Sequence, residues 1–137
     1  MKVTVILADY AAESQGKLTI VGGGWTFTGP AVGPIAIAAL IEVSWAEANE
    51  QHKVVIELQD TDGHPARVGP EAQPIRIEAQ LEVGRPPGHP PGTPFIVPMA
   101  LNLPPLPLAP GTRYVWVVSV DGETEENWRV GFHVRPT

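Results

Sequence analysis

Ile75-Arg76-Ile77-Glu78-Ala79-Gln80-Leu81-Glu82-Val83 decides the fold class. Every odd position is apolar and every even one polar, and an extended strand turns that period of two into one buried face and one wetted face. The alternation recurs in Tyr114/Trp116/Val118/Val120 and in Trp128/Val130/Phe132/Val134, and more weakly in Val3/Val5/Leu7, Leu18/Ile20, Val54/Ile56/Leu58 and Phe95/Val97/Met99/Leu101. From Ile35 to Ile41 every residue is apolar, and the run breaks only at Glu42. That is the pattern of a central strand covered on both faces, the second cover coming from the same chain or from a subunit neighbour. Turn chemistry separates these runs. Asp62-Gly63 and Asp121-Gly122 are the dipeptides that two-residue type I′ hairpins favour, because both central residues need positive φ. Gly22-Gly23-Gly24 and Gly29-Pro30 bracket a short Trp25–Thr28 segment, and the Pro-rich stretches 85–94 and 104–110 are loops or polyproline connections. No segment holds a 3.6-residue period, and Ala46–Gln51 offers one helical turn at most. The expectation is an all-β chain: a single antiparallel β-sandwich domain over residues 1–137, with about eight or nine strands and little or no helix.

Composition narrows the functions. The chain has 137 residues, 43% hydrophobic and 18% charged, enough apolar material for a real core and too little charge for a disordered chain. The absence of cysteine excludes a disulfide scaffold, a thiolate-ligated metal and thiol catalysis. With a net charge of −6 and nine Lys and Arg scattered along the sequence, no basic stripe is visible to neutralise phosphates. Nucleic acid and anionic membrane surfaces are therefore not expected partners. The N-terminal apolar stretch ends at Asp9, too early for a secretory core, and reads as a strand. A cytoplasmic location is expected.

Leu108-Ala109-Pro110-Gly111-Thr112-Arg113-Tyr114-Val115-Trp116 resembles the tyrosine corner that enters strand F of immunoglobulin-like and fibronectin-III-like sandwiches. The resemblance implies that the Tyr114 hydroxyl reaches back to the backbone a few residues upstream, and that Asp121-Gly122 turns the chain into an F–G hairpin. It makes the sandwich immunoglobulin-like or related. The chain exceeds the usual length of about 100 residues and lacks the cysteine pair, which excludes antibody-type membership and leaves strand order open. Over its full length the chain is similar to a family of short bacterial proteins of unknown function, mainly actinobacterial. Gly16-Lys17-Leu18, Gly22–Thr28, Ile41-Glu42-Val43, Leu81–Gly88, Asn102–Pro107 and Asp121-Gly122-Glu123 carry that likeness. It implies no activity, ligand or catalytic residue.

Few residues suggest chemistry. His52, His64, His89 and His133 share no metal-clip spacing and read as solvated surface histidines. Asp60-Thr61-Asp62-Gly63 resembles the opening of a calcium loop with Glu71 at its twelfth position, but Pro65 and Pro70 distort the path and a hairpin turn is the plainer reading. The glycines 22–24 precede a strand rather than a helix, so they read as a kink and not a phosphate cradle. Ser14, Ser44 and Ser119 lie outside any nucleophile motif, and Glu123, Glu125 and Glu126 form a solvated run near a hairpin. No catalytic, cofactor-binding or metal-binding residue is expected.

Apolar residues with no assigned cover remain. On the doubly apolar strand, Ala36, Ala38 and Leu40 point away from the core if Ile35, Ile37 and Ile41 point into it. Leu101, Leu103 and Leu106 belong to a Leu- and Pro-rich segment that either closes the sandwich end or forms an exposed patch. Trp116 and Trp128 are in phase with core residues, whereas Trp25 and Trp45 stand near loops where aromatic rings bind protein or sugar. The expected function is a non-catalytic protein-interaction or structural module that binds a protein partner or itself, through Leu40, Leu101, Leu103, Leu106, Trp25 or Trp45. A carbohydrate-type small-ligand domain and a metal-dependent hydrolase are the alternatives.

Overall fold

A computed structural model describes all residues from Met1 to Thr137. Two sheets face each other across one core. β1 (Lys2–Ala8), β5 (Ile35–Val43) and β10 (Phe95–Leu103) form a three-stranded antiparallel sheet in the order β1-β5-β10. β4 (Phe27–Thr28), β12 (Arg129–Val134), β11 (Arg113–Val120), β6 (Gln51–Gln59) and β9 (Arg76–Glu82) form the second sheet in that order. Its pairs are antiparallel except β4–β12, which is parallel. Two hairpins complete the fold, β2 (Tyr10–Ser14) with β3 (Lys17–Val21) and β7 (Arg67–Val68) with β8 (Gln73–Pro74). Helix is confined to a single 3₁₀ turn at Trp45–Glu47, where the Glu47 carboxylate accepts from the Ser44 amide and hydroxyl.

The alternation in the sequence becomes the core. Val3 and Leu7 of β1, Ile35, Ile37, Ile41 and Val43 of β5, Val54, Ile56 and Leu58 of β6, and Tyr114, Trp116, Val118 and Val120 of β11 share one cluster of 22 buried residues. Trp128 and Phe132 join them. Burying such side chains stabilises by about 1.5–3 kcal/mol each. The tyrosine side chain of the β11 entry behaves as its motif implies: the Ala109 N–H donates to the Tyr114 hydroxyl at 2.9 Å, and the ring is buried.

The turns divide. Asp121 and Gly122 have φ of 54° and 82°, the two left-handed residues that the dipeptide foretells. Asp62-Gly63 is not a two-residue hairpin, because only Gly63 is left-handed. The Asp60 carboxylate instead accepts the Asp62 and His64 amides at 2.9 and 3.1 Å, holding a longer loop that returns the chain beside β6. The β2–β3 turn uses Gln15-Gly16, with φ of 54° and 74°. At the end of β3 the chain kinks at Gly22, where φ is 61° and the Asp9 carboxylate occupies the place of a Cβ.

Candidate functional site

The register of the three-stranded sheet sorts its outward residues into rows across β1, β5 and β10: Ala8–Ala36–Asn102, Ile6–Ala38–Ala100, Thr4–Leu40–Pro98 and Lys2–Glu42–Ile96. The β2–β3 hairpin lies over the first two. Ala8, Ala11, Ala36 and Ala38 form a small cluster of their own beneath it, flanked by Ile6, Leu18 and Ala100. Alanine is what this layer requires, since a larger side chain at position 36 or 38 would lift the hairpin. Asn102 fastens it: its amide donates to the Ala11 carbonyl at 2.7 Å and its oxygen accepts the Ala11 N–H at 3.2 Å, so one side chain replaces a strand partner.

The hairpin stops short of the other two rows. Leu40 is 41% exposed and Ile96 54%, and Ile20 at the hairpin's margin is 39% exposed. Between the hairpin and Leu40 runs a shallow apolar cleft of about 80 Å³, lined by Thr4, Ile6, Leu18, Ile20 and the β5 residues Ala38 to Leu40. Lys2 and Glu42 are cross-strand neighbours at one edge of this face, and neither enters an ion pair within the chain.

The other candidate surface residues are engaged internally, so of the two placements open to the Leu- and Pro-rich segment it takes the one that closes the sandwich. Leu101 and Leu103 pair with Ile37 and Ile35 and pack on the core as half-buried residues, because odd positions of β10 face inward. Leu106 also packs on the core, and with Ile75 and Pro107 it lines a groove of about 390 Å³. Trp25 meets Phe132 edge-on at 5.8 Å. Trp45 is sandwiched: the Arg85 guanidinium lies 4.6 Å over its ring and donates to its carbonyl, while Phe95 and His89 stack beside it. Ala36 and Ala38 are covered by the chain's own hairpin rather than by a subunit neighbour. Of the six named residues Leu40 alone is exposed, and the other five are half-buried.

His52 is not a surface residue. It is 4% exposed, with Nδ1 at 2.7 Å from the Asp121 carboxylate and Nε2 at 2.8 Å from the Glu47 carbonyl. Both partners accept only, so both ring nitrogens must donate, which is the hydrogen-bonding state of the imidazolium. Burial opposes that charge, but the bonds to Asp121 and Glu47 outweigh it and hold the His52 pKa above its ordinary value. The bond from His52 and the Lys53 amide in turn lower the Asp121 pKa. With both nitrogens committed, this pair ties the β11–β12 turn to β6 and has no lone pair to offer a substrate.

Asp60, Asp62 and His64 do gather, their ligand-type atoms within 4.8 Å of one another, a grouping that the four-histidine spacing argument missed. The cluster is largely exposed, and Glu71, the twelfth position of the calcium-loop reading, is not part of it. His89 donates through Nε2 to the Thr93 carbonyl at 2.9 Å and stacks on Phe95, so it organises the Pro-rich loop.

Residues 3–135 match the model of a family of unknown function (DUF6941). The chain belongs to that family. The match runs from β1 to the residue after β12 and thus includes both main sheets and the β2–β3 hairpin. No curated protein matches the chain, and no solved structure does. No helix is long and apolar enough to cross a membrane.

Proposed function

We propose that the chain is a non-catalytic interaction module that associates with a second copy of itself through the uncovered half of the three-stranded sheet. The carrying observation is the end of the β2–β3 cover at Leu40, where Leu40, Ile96 and the hairpin's own margin residue Ile20 meet water. Contiguous apolar surface on an otherwise well-buried protein usually marks a partner site. A twofold contact uses the same patch on both subunits and needs a self-complementary one. The unpaired Lys2 and Glu42 beside the apolar strip suit that requirement, since the cation of one copy can meet the anion of the other.

The non-catalytic reading is supported by the committed nitrogens of His52 and by the inward engagement of Trp25 and Trp45. The latter also weakens a carbohydrate-type function resting on those rings. The Tyr114 bond supports an immunoglobulin-like ancestry for the β11–β12 hairpin, and the cysteine-free composition is compatible with a cytoplasmic setting. Light scattering after size exclusion at two protein concentrations tests the proposal. A stable multiple of 14.7 kDa is expected. A monomer at both concentrations overturns self-association.

A further inference from the structure

The chain uses arginine in two ways. Of the six arginines in the chain, Arg67 donates to the Ala72 carbonyl, Arg76 to Glu78 and Arg85 to the Trp45 carbonyl. Arg113, Arg129 and Arg135 make no side-chain hydrogen bond or ion pair, although the chain carries 15 acidic residues. The fold brings these three together on one surface. With Val130, Phe132 and Val134 directed to the core side of β12, Arg129, Gly131, His133 and Arg135 point outward. Arg113 stands directly across from His133 on β11.

That pairing is a close one. The Val134 N–H bonds to the Thr112 carbonyl just outside it, so Arg113 and His133 form a non-hydrogen-bonded pair, the geometry that brings side chains nearest. Two donor groups thus face the same space with no acceptor between them. Phe27, the parallel partner of His133, sets its half-exposed ring edge-on to the imidazole at 4.0 Å, and the Arg135 guanidinium lies 5.9 Å from that ring. Gly131 contributes no side chain. A Cβ there would meet only the Tyr114 carbonyl, at 3.8 Å, so the position is open and not sterically forced. The opening is a groove of about 470 Å³ walled by Thr26, Phe27, Arg113 and His133, with Gly131 and Phe132 below. Small-molecule sites fall in this size range and combine an apolar surface with a few convergent polar groups.

We infer that this groove binds a small planar organic anion, a flat ring bearing a carboxylate or phosphate. The Arg113 fork takes the oxyanion in two parallel hydrogen bonds, with His133 as a further donor. The ring lies over Gly131 against the free surface of Phe27, an offset or edge contact that aromatic pairs favour. Arg135 and Arg129 keep the approach positive within an acidic protein and raise the encounter rate.

The test is an amide and imidazole NMR titration of the full chain at low salt with benzoate and with phenyl phosphate, using benzamide and inorganic phosphate as controls. Saturable shifts centred on Gly131 and His133 are expected from an aryl anion, with inorganic phosphate at least tenfold weaker and benzamide without effect. Arg113→Gln is expected to weaken binding at least tenfold and Phe27→Leu to erase the advantage over inorganic phosphate. Arg76→Gln, an exposed change elsewhere on the sheet, is expected to leave binding intact. The tighter of the two aryl anions assigns the acid group. The inference is overturned if neither aryl anion gives saturable shifts at Gly131 and His133, if inorganic phosphate or benzamide binds as well, or if Arg113→Gln binds like the wild type.

Discussion

Leu40→Glu separates an interface residue from a core residue. Leucine burial is worth about 1.5–3 kcal/mol, and with 41% of Leu40 still exposed an interface has roughly 0.6–1.2 kcal/mol per copy left to gain. A twofold contact counts the residue twice. The substituted carboxylates add a desolvation penalty of several kcal/mol when two of them enter an apolar seam. The total exceeds about 4 kcal/mol, so the dissociation constant is expected to rise about a thousandfold or more. Within one folded chain the same change forfeits only the part already buried, about 1–2 kcal/mol. The melting temperature should therefore fall by several degrees while the strand pairing survives. Light scattering gives the mass and circular dichroism the melt. Ala38→Glu is the internal contrast: at 2% exposure beneath the hairpin, it should unfold the outer layer at any concentration. An unchanged mass for Leu40→Glu refutes the interface, and an unfolded Leu40→Glu refutes the claim that the cover ends at this residue.

The other expectations concern the devices that hold the fold in place. Asn102→Ala removes both bonds to Ala11 and should release β2 and β3, seen as faster amide exchange confined to residues 10–21 and a loss of about 1–2 kcal/mol; uniform protection refutes the fastening role. Tyr114→Phe leaves the Ala109 N–H without its acceptor and should lower the urea-unfolding free energy by about 1–2 kcal/mol, with a change below about 0.3 kcal/mol counting against it. The His52–Asp121 pair predicts a pH window. The His52 pKa is raised, so its contribution is complete below the unfolded value of 6.5 and disappears as pH rises through the folded value. The Asp121 pKa is lowered, so its contribution is present above 3.8 and disappears as pH falls through its folded value. Thermal melts should peak between about pH 4 and 6.5 and decline on the alkaline side, a decline that His52→Gln flattens. A melting temperature that climbs from pH 6.5 to 8.5 contradicts the pairing.

Period-two alternation made the architecture legible, because a side chain's direction along a strand is a local property: Trp116, Trp128 and Tyr114 enter the core where their parity puts them. The same parity turns Leu101 and Leu103 inward, which decides the choice that the Leu- and Pro-rich composition alone left open. Contacts between distant strands left no such mark. His52 looks like any histidine until the Asp121 turn, 69 positions away, closes over it. The arginines at 113, 129 and 135 look scattered until β11 pairs with β12 and sets them along one face, with Arg113 opposite His133. The uncovered face lies between these extremes. Along the outward side of β5 the residues run Ala36, Ala38, Leu40: small where the hairpin rests and large where it does not. A lone monomer draws only about 1–2 kcal/mol from the buried part of this leucine, and its exposed 41% serves solubility less well than a polar residue would. The change in size at position 40 therefore marks in the sequence itself where the chain's own cover ends, and it is the reason to expect a second layer there.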